Sequence, residues 1–293
     1  MIENRIKVEI PKSDILKKRL VKALIVLFFV IVLTITYIPI LVIALTSIST
    51  HTSGYQMPGV TAKWYGMLIT NKSLFNAIMF TLQVTFLSTI ISTIFGTITA
   101  IGINSLTKKW KKRLIVLNNI PILNADIVTA VFLLILFQVL SILLNTNIIA
   151  NYGRITTLIA HILFSTPYVV LAVLPKLSKD NQLYEAALDL GCSPKEALDK
   201  VVLPNLKTAI FSGALLAFTM SIDDFIITYF VSGPNQNFST WLYGNLRQQR
   251  NGQWNQACAY NTILMIITFA GIVIYQITKG KKKEKSVWKK LSV

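Results

Sequence analysis

The sequence predicts an all-α, polytopic membrane protein with six transmembrane helices, and three observations carry that prediction. Of its 293 residues, 53% are hydrophobic and only 14% charged, where soluble domains carry roughly a quarter. Six long stretches are free or nearly free of charge, and the basic residues crowd into alternate segments between them. Two cysteines, Cys192 and Cys258, are too few for a disulfide scaffold. A net charge of +17 on so apolar a chain requires its charges to be segregated from its apolar runs. This composition excludes a disordered basic tail protein and a collagen-like fibre, and it argues against an ordinary cytosolic enzyme.

A hydrocarbon core of about 30 Å needs about 20 helical residues at roughly 1.5 Å each. The first apolar core, 23–48, follows a basic arm over 1–22. It is too long for a signal-peptide h-region, contains Pro39 and lacks an A-x-A-like cleavage site, so a retained helix is expected. The second, third and fourth cores are 74–103, 114–144 and 155–175. The fifth, 208–231, is interrupted only by Asp223 and Asp224, and the sixth is 256–278. The expected organisation is therefore the arm, a six-helix domain over 23–278 with one long loop at 178–207, and a basic tail over 279–293. That tail reads as a stop-transfer and lipid anchor rather than a nucleic-acid patch.

The bases set the orientation. Seven lie in the arm, five between the second and third helices, five between the fourth and fifth, and seven in the tail. The other three connections share Lys63, Lys72, Arg154, Arg247 and Arg250, so the split is 24 to 5. The positive-inside rule then places both termini in the cytoplasm.

The loop 178–207 is longer than most helix–helix connections. Leu183, Ala186, Ala187 and Leu190 lie at helical spacing, and Gly191 follows as a C-cap candidate. Ser193 can cap a second helix with Pro194 at its first position, carrying Ala197, Leu198 and Val201 and ending near Pro204. Periodicity alone favours an amphipathic hairpin packed on its own bundle. The residues themselves carry more: Glu185-Ala186-Ala187, Gly191, and Val201-Val202-Leu203-Pro204 reproduce E-A-A-x3-G-x9-[I/V]-x-L-P. This resembles the EAA loop of bacterial ABC-importer permeases, with Val201 where Ile is commoner. The resemblance implies a type I ABC importer permease fold. It also implies that Glu185, Ala186, Ala187, Gly191, Val201, Leu203 and Pro204 dock on an ATPase subunit and pass on its closure.

The likeness continues through Thr61-Ala62-Lys63-Trp64-Tyr65, Asp126-Ile127-Val128 and Thr166-Pro167-Tyr168-Val169-Val170. Ser221-Ile222-Asp223-Asp224 and Val231-Ser232-Gly233-Pro234 complete it. Together these resemble the spermidine/putrescine permeases of the PotC type over nearly the whole chain. The outer segment 235–254 departs from the family: it is rich in Asn and Gln, and Gln253-Trp254 replaces the usual Pro-Glu pair. The resemblance implies a bacterial plasma-membrane subunit working with a second homologous permease, two cytoplasmic ATPases and an extracytoplasmic binding protein. ATP and Mg would sit on the ATPases, and this chain would bind no cofactor.

Of twelve acids, only Asp126, Asp223 and Asp224 fall outside the cytoplasmic segments. An ionised carboxylate at mid-membrane costs about 2.5–3.5 kcal/mol or more, so each must face protein, water or a cation. On unbroken helices Asp126 would stand about 18 Å and Asp223 about 22 Å from the cytoplasmic ends. Neighbouring helical residues diverge by about 100°, so Asp223 and Asp224 cannot both face one axis; one can line a path while the other bonds a neighbouring helix or Ser221. One reading is structural acids satisfied by hydrogen bonds or protonation. The other is cation handling, in which carboxylates interleaved with Phe225, Tyr229 and Trp64 suit ammonium groups on an apolar stem. The candidate substrate path is therefore Asp126, Asp223, Asp224, Ser221, Trp64, Phe225 and Tyr229.

Trp241, Tyr243 and Trp254 read as interfacial belt residues, His161 as a packed histidine, and Pro167 as a kink. Two histidines make a metal site improbable, and no phosphate loop or catalytic set is present in the sequence. A transport subunit rather than an enzyme is expected, with no nucleic-acid partner. The competing classes are an ion-coupled secondary transporter or channel for a cationic solute, an ABC permease for another small organic solute, and an intramembrane enzyme or scaffold. The first of these would show inverted repeats with interrupted helices in both halves, and no clear pair stands out.

Overall fold

The structure, a computed structural model, describes residues 12–50, 59–179, 181–247 and 252–291. Residues 1–11 of the basic arm and residues 248–251 of the outer segment lie outside them. Two compact units divide the chain: Met1–Leu68 with Arg250–Val293, and Ile69–Gln249.

The first unit holds α1 (Lys12–Thr46), α2 (Lys63–Thr70) as far as Leu68, and α12 (Gln253–Leu291). Helix α1 contains Pro39 and exposes an almost unbroken apolar surface from Leu20 to Leu41. Its C-terminus is held from α12, where the Asn255 amide donates to the Thr46 carbonyl at 3.0 Å. Residues 257–260, Ala-Cys-Ala-Tyr, are all buried, so Cys258 is a packed core residue.

The second unit is built on three helices: α3 (Lys72–Ser105), α6 (Ile148–Lys179) and α9 (Leu203–Ile222). Val169 of α6 sits between Gly96 of α3 and Gly213 of α9. A Cβ at Gly96 would lie 2.6 Å from the Val169 Cβ, and one at Gly213 3.2 Å from its Cγ1. The absent side chains let the helix backbones approach closely, the packing that membrane helices favour. Ala100, Ile103, Val173, Leu177, Val202 and Leu206 extend this core toward the long loop after α6. A second core joins α5 (Asp126–Leu143) and α6 to α10 (Ile226–Val231) through Leu133, Phe137, Phe164, Ile227 and Val231.

Among the described residues, five helices are long and apolar enough to cross a membrane: Leu20–Thr46, Lys72–Ser105, Asp126–Leu143, Ile148–Ser178 and Pro194–Ile222. The sixth expected stretch falls within α12. Two expected helices are interrupted. The third divides into α4 (Lys108–Leu123) and α5, separated by Asn124 and Ala125. Pro121 removes a backbone donor near the end of α4, and Asp126 is favoured in the first turn of a new helix, where the macrodipole is positive. The fifth stops at Ile222 and resumes as α10 at Ile226. Non-helical backbone within α6 occurs at Tyr152 (φ −123°, ψ 27°), some fifteen residues before Pro167, the position where the sequence predicted a kink.

Candidate functional site

The break between α9 and α10 follows from the two aspartates. Asp223 ends α9 with φ −97° and ψ 0°, outside helical geometry, and its side chain is exposed. Asp224 turns inward and starts α10. Its Oδ1 accepts from the Ile227 N–H at 3.1 Å, and its Oδ2 from the Thr228 N–H at 2.8 Å and the Thr228 hydroxyl at 2.7 Å. An aspartate that satisfies the first N–H groups of a helix competes with continuation of the preceding one. The Asn237 amide binds the Asp224 carbonyl, and its Oδ1 accepts from the Thr240 N–H, which ties the start of α11 (Phe238–Arg247) to the break.

Asp224 is one end of a buried polar chain. His161 of α6 places Nε2 3.3 Å from Asp224 Oδ2 and 3.0 Å from the Thr228 hydroxyl. Its Nδ1 lies 2.7 Å from Ser221 Oγ, which is 3.0 Å from Ser88 Oγ and 3.4 Å from Thr85 Oγ1 on α3. His161 and Ser221 are 2% and 1% exposed, so the chain lies away from bulk solvent. Four helices thus meet through one set of hydrogen bonds. His161, Thr228, Ser88 and Thr85 were absent from the candidate site read in the sequence. A signal existed for two of them: Thr81, Thr85, Ser88 and Ser92 form a hydroxyl stripe at helical spacing on α3, and all four are buried.

Asp223, by contrast, is exposed, and two residues after it Phe225 enters an open aromatic group. Phe225 lies 5.6 Å from Tyr229 and 5.1 Å from Tyr243, centroid to centroid, and Tyr229 and Tyr243 are 6.2 Å apart. Both tyrosines are about half exposed and line a pocket of 320 Å³ with Asn235, Gln236 and Thr240. Tyr243, read as a belt residue in the sequence, belongs to this group. Trp241, read the same way, is not a belt residue: it is buried, its Nε1 donates to Ser73 Oγ at 3.1 Å, and it stacks on Phe238.

The structure therefore joins Ser221 to Asp224 through His161 and sets Phe225 against Tyr229, while Asp223 lies between the two sets in sequence with an exposed side chain. Asp126 stands on a separate element, exposed at the first turn of α5, within Coulombic range of Tyr168. Trp64 belongs to the first unit, where it is enclosed. Its Nε1 donates to the Ser49 carbonyl at 2.7 Å, and its ring fills the space a side chain at Gly252 would need.

The long loop folds as its residues dictate. Helix α7 (Asn181–Asp189) closes with the Cys192 N–H on the Ala187 carbonyl at 3.1 Å and the Gly191 N–H on the Leu188 carbonyl at 2.9 Å. These are the two bonds of a Schellman motif, and Gly191 has the left-handed φ of +88° that it requires. The A-x3-G spacing is thus the spacing of a helix stop. Ser193 begins α8 (Pro194–Glu196) with a reciprocal capping box to Glu196, and Lys200 pairs with Glu196 at 2.8 Å. The sequence expectation that this helix ends near Pro204 is corrected: it passes through a π-helical segment, Ala197–Val202, directly into α9. The Leu203 N–H reaches Leu198, and the Asn205 amide covers the Val201 carbonyl, so the chain passes Pro204 without stopping. Ala187, Ala197 and Val202 are buried, while Glu185, Ala186 and Leu190 are exposed. The loop is braced on its own bundle and presents its tip outward.

Residues 92–280 match the family described as the inner membrane component of binding-protein-dependent transport systems. The chain belongs to that permease family. It is 31% identical over 255 residues to the spermidine/putrescine transport system permease protein PotC of Haemophilus influenzae, covering 87% of this chain and 95% of that one. Identity to the Escherichia coli K12 protein of the same name is 31% over 248 residues, 84% and 90% of the two chains. The putrescine transport system permease protein PotI of Escherichia coli K12 is 28% identical over 255 residues, 86% and 89% of the chains. Among solved structures, a chain of a bacterial ABC transporter involved in the import of the acidic polysaccharide alginate superposes with a TM-score of 0.68 at 17% identity. That match covers 91% of this chain and 98% of the other. This permease is thus a multi-pass membrane protein of the ABC importer fold, and a transport subunit rather than an enzyme.

Proposed function

We propose that this permease forms part of an ATP-driven importer that carries polyamines, spermidine or putrescine, into the cytoplasm. The relatives named for those substrates support the cargo. The observation that carries it in this chain is the division of the acid pair: Asp224 is engaged by protein donors, while Asp223, two residues before the first ring of the Phe225, Tyr229 and Tyr243 group, stays exposed. An open carboxylate next to aromatic faces suits an ammonium group on a methylene stem. Asp126 adds a second negative station on another element.

The working complex comprises a second homologous permease, two cytoplasmic ATPases holding ATP and Mg²⁺, and an extracytoplasmic binding protein. Movement of the ATPases between open and closed is taken up at the exposed tip of α7 around Glu185, Ala186 and Gly191. The capped, buried base of the loop passes the shift into α6 and α9 as a rigid body, and the path switches its exposure between the two sides. Six spans with both termini in the cytoplasm fit the 24-to-5 division of bases.

Uptake of radiolabelled spermidine and putrescine in cells expressing the four components tests the cargo. Saturable uptake of either, abolished when the ATPase is inactivated, is the expected result. Uptake of neither, with transport of an uncharged solute instead, would overturn the cargo and leave the permease assignment standing. Orientation is tested with a membrane-impermeant maleimide on Cys192, which should react in inside-out vesicles and not in intact cells.

A further inference from the structure

The start of α4 carries an unusual group of residues. Lys108, Lys109, Trp110, Lys111, Lys112 and Arg113 are its first six. No acid occurs between Asp14 and Asp126, and among the described residues no ion pair engages Lys108, Lys109, Lys112 or Arg113. These four are exposed. Lys111 differs, since its Nζ turns inward to Asn104 Oδ1 at 2.7 Å and Ser178 Oγ at 2.9 Å. Five cations at this end of a helix oppose its macrodipole, so helix stability does not explain them.

Their placement along the helix does. Val116, Leu117, Ile120 and Leu123 form one exposed apolar stripe, 46–82% accessible. Extended back by one turn, the same stripe runs through Arg113 and then Lys109 and Trp110. Trp110 is 55% exposed, and the Arg113 guanidinium lies over its ring at 5.2 Å. From Arg113 to Leu123 the helix rises about 15 Å, roughly half a hydrocarbon core. An apolar stripe of that reach that ends in a turn holding a tryptophan and cations points to a membrane–water boundary along the turn Trp110–Arg113.

We propose that Lys108, Lys109, Lys112 and Arg113 form a binding site for the phosphodiester headgroup of an anionic phospholipid, with Trp110 packed at the top of its acyl chains. The site engages phosphatidylglycerol-type lipids in preference to zwitterionic ones. Juxtamembrane bases of this kind act additively on anionic headgroups, within a Debye length of the surface.

The test uses the full-length permease reconstituted into bilayers of chain-matched lipids. Brominated phosphatidylglycerol or brominated phosphatidylcholine supplies the quencher, and the Trp110 signal is the difference between the unaltered protein and Trp110→Phe. Phosphatidylglycerol should quench that signal at least about threefold more effectively at low salt. The advantage should shrink toward equality at about 0.5 M salt, which needs no variant. It should also be lost in K108Q/K109Q/K112Q/R113Q but kept when four tail lysines, 281–283 and 285, are changed to Gln. Equal quenching by the two lipids in the unaltered protein overturns the proposal, as does a quadruple variant that keeps its preference. If that variant keeps its lipid preference but no longer retains a co-expressed ATPase subunit, the patch is a protein-docking surface and the proposal is overturned.

Discussion

His161 Nε2 and Asp224 Oδ2 lie 3.3 Å apart between α6 and the start of α10, with side chains 2% and 7% exposed. The pair joins the break in the fifth predicted helix to the rest of the bundle. It also separates the work of two adjacent aspartates, because the groups that hold Asp224 leave Asp223 outside.

That separation predicts opposite behaviour of two single variants. Asp224→Asn replaces a charged acceptor of several hydrogen bonds and should destabilise the permease by about 1–3 kcal/mol, read as a lower melting temperature in detergent and lower membrane abundance. Asp223→Asn should leave abundance unchanged and reduce labelled spermidine uptake at least about tenfold, through loss of a cation contact. Equal uptake per molecule in Asp223→Asn would refute the assignment.

His161→Gln distinguishes a structural histidine from a proton carrier. A glutamine keeps a donor and an acceptor but cannot carry a proton through the chain. Near-normal uptake, with stability within about 1–2 kcal/mol of the unaltered protein, is expected. Total loss of transport at normal abundance would make His161 part of the transport chemistry.

Gly191 offers a test of the loop that is free of steric crowding. A Cβ there meets nothing within 4 Å, so the whole cost of a substitution comes from its φ of +88°. Gly191→Ala should cost about 1 kcal/mol or more, and Gly191→Asn less, because Asn tolerates the left-handed region. Binding-protein-stimulated ATPase activity of the assembled complex should fall in the order Gly, Asn, Ala. Identical stimulation in all three would separate the Schellman turn from coupling.

Gly153 predicts a different kind of damage. A Cβ at this position would run into the Ser232 carbonyl oxygen, a backbone atom that cannot rotate away. The same junction carries the bond from the Thr156 hydroxyl to the Val231 carbonyl at 2.6 Å. Gly153→Ala should destabilise by about 1–3 kcal/mol and loosen α10 from α6. Faster hydrogen exchange confined to 226–235 is the expected signature.

Much of this protein is determined by the sequence alone, because the signals are local. The apolar runs and their flanking bases report the membrane directly. Gly191, Ser193 and Pro194 act within a few residues of themselves, so the stop and restart of the long loop were legible, as was the spacing that marks the permease family. The break at Asp223–Phe225 was hidden, since an apolar run with two acids reads as one helix until Asp224 is seen to cap the next. The π-helical passage into α9 was hidden for a similar reason: Pro204 stops most helices, and only a shifted hydrogen-bond register let this one continue. The His161 chain lay furthest from view, because its members are 60 and 133 residues apart. Which of two neighbouring carboxylates is held and which is free depends on donors supplied by other helices. That choice belongs to tertiary packing, because a buried charge goes where its hydrogen bonds are met.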